Sequence, residues 1–270
     1  MHSENEGKQT LQNTTSDYLA AATRSIVGAA PIVGSLLVEL VGAVIPAQRT
    51  DRIAKFASSL ESRLARVERD VLRKNLSDEN FCDLMEETMR QAARAVTDER
   101  RRYLAALLAN SVAPGAVSHI ESKHILRVLG ELNDVEVIWL RSYLDVRIGA
   151  DDHFRSIHAD ILEPVSAHAG SEQDEIDKWT LQRSYKEHLA RLGLLAPRHA
   201  KNTKTKDPEF DSRLGGFKVV GYEITLFGGL LLRQIDLGDG FQGTEGDADE
   251  RKGVVVESRE VHGGLSESAR

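Results

Sequence analysis

The residues that could take part in catalysis are few, and each group lacks part of the pattern that its chemistry requires. Residues 238–243 read GDGFQG and match the glycine spacing of dinucleotide-binding loops. Such a loop must follow a strand, and here it follows a predicted helix. His119 and Glu121 match the start of a zinc-deaminase signature, which paired cysteines complete. The chain has one cysteine, Cys82, so this zinc site cannot be assembled.

Two further histidines, His153 and His158, lie close in sequence to Asp160, and these side-chain types bind zinc. They occupy a polar connector without recognised ligand spacing, so we predict no metal site. His188 falls on the inner face of a predicted helix, where a histidine usually has a structural hydrogen bond. Cys82 has no histidine partner that the sequence assigns to it. We therefore predict that the chain is not an enzyme, has no catalytic residue and binds no cofactor.

A cluster of positive charge is the clearest binding signal. Between Thr180 and Lys206 the only acidic residue is Glu187. A local excess of positive charge attracts phosphate oxygens and makes binding depend on salt concentration. The alternative is that residues 198–216 form a solvated loop with no ligand. We predict nucleic-acid or partner binding through Arg183, Lys186, Arg191, Arg198, Lys201, Lys204 and Lys206.

This cluster lies within residues 180–235, whose pattern predicts helix, strand, loop, strand and helix in that order. Gly193 is predicted to end the first helix in the left-handed conformation, which glycine adopts most easily. A brief strand over residues 194–196 is predicted to stop at Pro197. The first helix is predicted to bury one stripe, formed by Leu181, Tyr185, His188, Leu189 and Leu192.

The second strand of this segment is predicted from β-branched and aromatic residues at Val219, Val220, Tyr222 and Ile224. Gly221 is predicted to mark a bulge, and Thr225 to cap the closing helix. The closing helix carries Leu226, Leu230, Leu231 and Ile235. This order of elements is the layout of a winged helix, so residues 131–237 are predicted to form a winged-helix-like domain.

Residues 17–130 are predicted to form an all-helical domain, so the predicted fold class is mainly α with a small β wing. Residues 77–79 are predicted to open a helix with a capping side chain, residues 97–99 to start the next one, and Asp134 or Asn133 to cap a later helix. The first of these helices is predicted to bury one face as far as Val96. Residues 50–74 have the spacing of a short coiled-coil seam, formed by Ala57, Leu60, Leu64, Val67 and Val71.

The most unusual segment is residues 26–46, which contain one charge, Glu39. Its length would cover the apolar core of a bilayer. A charge near the middle of a membrane costs about 2.5–3.5 kcal/mol, which disfavours a permanent span. One interpretation is a buried helical hairpin whose second arm starts at Pro31. The other is conditional membrane association through Ile32, Val33, Leu36, Leu37, Val41 and Val44.

Composition limits the location and the partners. A net charge of -7 argues against a nucleic-acid-binding protein that is basic throughout. The single Cys82 cannot form an internal disulfide, which fits a reducing cytoplasm. No signal-peptide pattern is present, so we predict a cytoplasmic location, with membrane association as the alternative. Residues 1–16 and 238–270 are polar and are predicted to be disordered.

The sequence LARLGLL at residues 189–195, followed by GYEITLFG at residues 221–228, resembles the C-terminal pattern of bacterial abortive-infection alpha-type proteins. Many winged-helix regulators share this pattern, which covers roughly the C-terminal third of the chain. The glycine- and alanine-rich segment 26–46, placed before a charged helix, is similar to bacterial phage-defence proteins. The resemblance implies an intracellular role in phage defence and transfers no catalytic residue.

Two hypotheses from different classes follow. The first is a non-enzymatic phage-defence or stress effector, whose winged helix senses a partner while residues 26–46 associate with membrane. The second is a winged-helix transcriptional regulator that binds DNA through the positive cluster. The sequence assigns neither a trigger nor an oligomeric state.

Overall fold

The structure, a computed structural model, describes residues 49–65, 67–144, 151–168, 170–203, 205–212 and 215–238. Lys204, the segment 26–46 and the predicted disordered residues 1–16 and 239–270 lie outside these ranges. The described residues are mainly helical, which confirms the predicted fold class at that level. Within these ranges no helix is long and apolar enough to cross a bilayer.

In chain order, the helices and strands of the described ranges are α1 (Thr50–Leu64), α2 (Arg69–Leu76), α3 (Glu79–Arg94), α4 (Asp98–Asn110), α5 (His119–Glu131), α6 (Asp134–Ser142), α7 (Asp152–Ile157), α8 (Ala159–Leu162), α9 (Gln173–Arg191), β1 (Leu195–His199), β2 (Phe210–Asp211), β3 (Gly216–Phe217), β4 (Val219–Ile224) and α10 (Leu226–Gln234).

Side-chain caps define where the helices around the core begin. The predicted helix starts at residues 77–79 and 97–99 are confirmed, with Asp78 and Thr97 as the capping side chains, and of the two candidates for the later cap it is Asn133 that accepts a backbone N–H. Ser118 caps α5, and Glu121 accepts the Ser118 N–H at 2.9 Å in a reciprocal pair. That hydrogen bond lowers the pKa of Glu121 and gives this carboxylate a structural role.

The predicted continuous seam over residues 50–74 is wrong, because the helix ends at Leu64 and a new helix begins at Arg69. Glu68 between them is extended, so the direction of the chain changes. Val71, the last residue of the predicted seam, is exposed as a result. The buried face of α1 packs against α4 of the same chain through Ile53, Phe56, Ala57 and Leu60.

One apolar core crosses the predicted domain boundary at residue 130. Its buried residues extend along the chain from Ile53 to Ile235. Arg100 of α4 connects the two sides: its guanidinium donates to the carbonyl of Leu132 at 2.7 Å and to Asp134 at 2.8 Å. The helices before this boundary therefore support the C-terminal elements directly.

The C-terminal elements follow the predicted order: helix α9, strand β1, a loop, strand β4 and helix α10. Strands β1 and β4 pair antiparallel, and their register shifts between Arg198 and His199, opposite the predicted bulge at Gly221. The prediction that Pro197 ends β1 is wrong, since the strand continues to His199. Proline is tolerated because β1 pairs with β4 alone and leaves one edge open.

Several apolar residues that were expected to be buried are exposed. On α9 only Leu189 is buried, whereas Leu181 is 53% exposed. Val96, expected at the end of a buried face, is 80% exposed because α3 ends at Arg94. Leu226, at the start of α10, lies on the surface, whereas Leu231 and Leu232 of α10 and the following Ile235 are buried.

The two parts of the pattern, at residues 189–195 and 221–228, meet at one point through Gly193, Leu194, Thr225 and Gly228. Gly193 has φ of +73° and ends α9 as predicted. The Thr225 hydroxyl donates to the Gly193 carbonyl at 2.7 Å and accepts the Gly228 N–H at 2.9 Å. The Leu194 carbonyl accepts the Thr225 N–H at 3.1 Å. We call this contact the Leu194–Thr225 junction; it joins the end of α9 to the start of α10.

Gly228→Ala is predicted to destabilise the protein by about 1–3 kcal/mol. A Cβ atom at residue 228 would lie 2.3 Å from the Leu194 carbonyl oxygen, and this backbone atom cannot rotate away. The higher helix propensity of alanine, about 1 kcal/mol, would not offset that contact. Urea unfolding measures the effect.

Gly216→Ala is the matched control, because a Cβ atom at residue 216 meets nothing within 4 Å. Its free energy of unfolding should stay within about 0.5 kcal/mol of wild type. Equal stability of the two variants would contradict close packing at the junction.

Candidate functional site

The loop between β1 and β4 folds into a small β structure, which we call the wing (residues 199–219). Three backbone hydrogen bonds of 2.8 Å join its three segments at Ala200, Glu209 and Lys218. Beyond them β2 pairs with β3, with Phe210 opposite Phe217. The described segments of the wing are therefore joined to one another by backbone hydrogen bonds.

The wing has one aromatic face. The rings of Phe210 and Phe217 meet edge to face at 6.3 Å, and the His199 ring packs against Phe217 at 5.6 Å. The phenylalanines nevertheless remain 64% and 54% exposed. Glu209 and Lys218 pair at 3.7 Å, and the alternation of side chains along a strand places them on the opposite face. The wing thus exposes an aromatic surface on one face and a charged pair on the other.

Sequence reasoning missed Phe210 and Phe217, because the surrounding residues are polar and suggested a loop. A signal was present: each phenylalanine follows a glycine or an acid and precedes a charged residue, in EFD and GFK. Such alternation predicts a strand with one apolar face. The two short runs become informative only when they are paired with each other.

Two of the predicted cationic site residues have partners within the chain. Arg183 donates to Glu187 at 2.7 Å and lies over the Trp179 ring at 5.7 Å. Lys186 lies 4.2 Å from the centre of the Trp139 ring, a favourable cation–π distance. Partial burial lowers the pKa of Lys186. These contacts reduce the charge that both residues present to a ligand.

The other described cations of the predicted site are exposed and make no ion pair within the described part of the chain. Arg191 ends α9, and Lys206 lies in the wing with φ of +64°. The Arg198 guanidinium covers Gly221, where a Cβ atom would lie 3.0 Å from it. These exposed cations are Arg191, Arg198, Lys201 and Lys206.

Acidic residues offset the predicted excess of positive charge. Helix α9 begins at Gln173, several residues before the segment in which the excess was found. Its first turns and the preceding residue carry exposed acids at Glu172, Asp174, Glu175 and Asp177. Acids at the start of a helix complement its dipole. The surface of α9 and the wing therefore carries both signs of charge.

His188 connects α9 to α6, as expected of a structural histidine. Its Nδ1 atom lies 2.6 Å from Oε1 of Glu136, a carboxylate that is only 4% exposed as a residue. The other oxygen of Glu136 accepts the Asn133 N–H at 2.9 Å. Both oxygens are satisfied, as a buried carboxylate requires. This contact sets the position of α9 relative to the core.

The residues weighed as metal ligands are not brought together. His153 and Asp160 are exposed, and the His158 ring packs on Phe154 at 4.6 Å. Over the described ranges no group of three or more His, Cys, Asp or Glu side chains is arranged to hold a metal ion.

No protein-family model, curated protein or solved structure matches this chain.

Proposed function

We propose that this chain is a non-enzymatic, intracellular phage-defence or stress effector whose C-terminal domain is a winged helix that docks a protein partner. The observation that carries the proposal is the exposed pair Phe210 and Phe217 on a wing with a hydrogen-bonded backbone. Exposed apolar surface with a polar rim is typical of interaction sites.

The winged-helix assignment is supported by the order and pairing of the C-terminal elements. Helix α9 leads into β1, β1 pairs with β4, and the wing lies between them. Helix α6 packs against α9 and holds it through the Glu136–His188 hydrogen bond. Winged helices serve both DNA binding and protein docking, so the surface chemistry must decide between them.

Protein docking fits that surface better than binding to a phosphate backbone. The exposed acids at the start of α9 would repel phosphates, and Arg183 and Lys186 already have partners in the chain. An interface between proteins uses aromatic anchors surrounded by charges of both signs. Phe210 and Phe217 are exposed aromatic side chains of the kind that anchor such an interface.

The defence role is supported by the sequence pattern at residues 189–195 and 221–228. In this chain its two parts meet through Gly193, Thr225 and Gly228. The pattern therefore specifies how the winged-helix unit closes, and the resemblance is one of architecture. Phage defence is the role that the resemblance implies for a chain with this unit.

Phe210→Ser combined with Phe217→Ser is predicted to abolish protection of a phage-sensitive bacterium that expresses the chain. Both rings are largely exposed, so their removal should eliminate docking area with little effect on folding. Plating efficiency across a phage panel measures protection, and thermal unfolding checks stability.

Ile157→Ser is the control, since Ile157 is an exposed apolar residue of α7, outside the wing. It should protect as wild type does. Full protection by the wing double variant would contradict docking through the wing, and no protection by wild type would contradict the defence role.

DNA binding by a transcriptional regulator is the second candidate function. The observation in its favour is the set of exposed cations without ion pairs in the described ranges, at Arg191, Arg198, Lys201 and Lys206. These follow one another through the end of α9, β1 and the wing, as phosphate-binding residues would along a duplex.

Replacing Arg191, Arg198 and Lys201 with alanine is predicted to weaken DNA binding equally on all sequences, if DNA is the ligand. The logarithm of the DNA association constant falls linearly with the logarithm of the salt concentration. The magnitude of this slope should decrease by about 0.9 for each phosphate that the variant no longer neutralises. Fluorescence anisotropy at several salt concentrations measures it. Lys178→Ala, which removes a cation paired with Asp174, is the control; the same affinity in both variants would exclude this site.

Membrane association through residues 26–46 remains part of the proposed effector function and concerns residues outside the described ranges. Full-length protein is predicted to float with anionic vesicles, and Leu36→Asp to reduce flotation because a charge at this apolar position is costly to bury. Leu226→Asp changes an exposed leucine elsewhere and should float as wild type does. Absence of wild-type flotation would remove membrane association.

A further inference from the structure

A cleft of about 740 Å³ opens between α3 and α5, away from α9 and the wing. The two helices run side by side in the same direction. The Phe81 and His119 rings meet near their starts at 5.2 Å, and the Gln91 amide reaches the Leu126 carbonyl further along at 3.5 Å. The cleft has the size of small-molecule sites in proteins.

Most charged groups that line the cleft are already paired. Lys123 binds Asp83, and Arg90 lies between Glu86 and Glu87. Arg100 is held by Asp134 and by main-chain carbonyls. These pairs account for every acidic side chain that lines the cleft.

Arg94 of α3 and Arg127 of α5 line the same cleft, and their side chains have no hydrogen-bond or ion-pair partner in the described part of the chain. The cleft thus has a surplus of two guanidinium groups. A guanidinium group can bind two oxygens of one phosphate in a planar fork.

Capping of the helix ends does not explain these two arginines. The last carbonyls of α3 accept from Arg52 and Arg101, at 3.3 Å and 2.5 Å. At the end of α5, Arg100 donates hydrogen bonds to the carbonyls of Leu129 and Leu132, at 3.0 Å and 2.7 Å. The favourable interactions of cations with helix C-termini are therefore supplied by other residues. Arg94 and Arg127 remain available for an external anion.

Apolar groups in the same cleft indicate that the anion has an organic part. Leu104, Leu132 and Ala95 line it and are buried. Val96 also lines it but is 80% exposed, despite its position next to a buried helix face. Of these side chains only Val96 offers exposed apolar surface, which an inorganic ion would leave uncovered.

We propose that the cleft between α3 and α5 binds a small phosphate monoester, with Arg94 and Arg127 contacting the phosphate and Val96 contacting the organic part. Free inorganic phosphate has the same anionic chemistry, so the two sources must be separated by experiment. The site is independent of the proposed docking function, since none of its lining residues belongs to α9 or the wing.

Isothermal titration calorimetry on the full-length protein tests the assignment with phenyl phosphate, inorganic phosphate and phenol. Phenyl phosphate should bind more tightly than either of the others. Arg94→Ala combined with Arg127→Ala should weaken phenyl phosphate binding at least about tenfold, since charge-assisted hydrogen bonds are removed. Val96→Ser should weaken phenyl phosphate binding and leave inorganic phosphate binding unchanged.

Arg73→Ala is the matched control: Arg73 is an exposed arginine that pairs with Asp70 and does not line the cleft. It should bind phenyl phosphate as wild type does. Arg94→Lys combined with Arg127→Lys keeps the charge and should bind with intermediate affinity. No binding of phenyl phosphate, equal binding of inorganic phosphate, or unchanged binding in the double alanine variant would overturn the assignment.

Discussion

The Leu194–Thr225 junction is the contact on which the C-terminal unit depends. The Thr225 hydroxyl accepts a hydrogen bond from the Gly228 N–H in the first turn of α10 and donates one to the Gly193 carbonyl at the end of α9. Because Gly228 has no side chain, the Leu194 carbonyl can approach it closely. This arrangement brings the chain back beside β1 after the wing, so that β4 can pair with it. Helix α10 then reaches the N-terminal helices, where Asn110 donates to the Gln234 carbonyl at 3.0 Å. The strands that carry the wing are therefore held in place by helices from both ends of the described chain.

Several arginines of this chain bind other groups of the same chain, so their charge is not available to ligands. Arg52, Arg100 and Arg101 bind carbonyl groups at helix ends, where donors would otherwise be missing. Arg183 is paired on its own helix. A charge count along the sequence includes all of these residues. It therefore overstates the positive charge that a phosphate would meet on α9, and it does not distinguish them from Arg94 and Arg127, which have no ion-pair partner in the described ranges.

The wing and the cleft present different chemistry to different ligands. On the wing, aromatic rings are exposed on one face of a paired strand and charged groups lie behind them, which suits a broad contact with a protein. The cleft between α3 and α5 opens to solvent and carries two exposed arginines beside the exposed Val96, a combination proposed above to suit a small molecule. A surface contact joins the helix that lines the cleft to the C-terminal elements, because the His124 ring of α5 stacks on Phe227 of α10 at 5.7 Å.

The sequence by itself determined the features that depend on neighbours along the chain. Caps at Asp78, Thr97 and Asn133, the left-handed Gly193 and the order of helices and strands at residues 180–235 follow from local backbone chemistry. Only the tertiary structure decided which apolar residues stay exposed, that Phe210 meets Phe217, and that Lys186 lies over Trp139. The physical reason is that burial, pairing and effective charge depend on residues distant in sequence, whose approach no local pattern specifies.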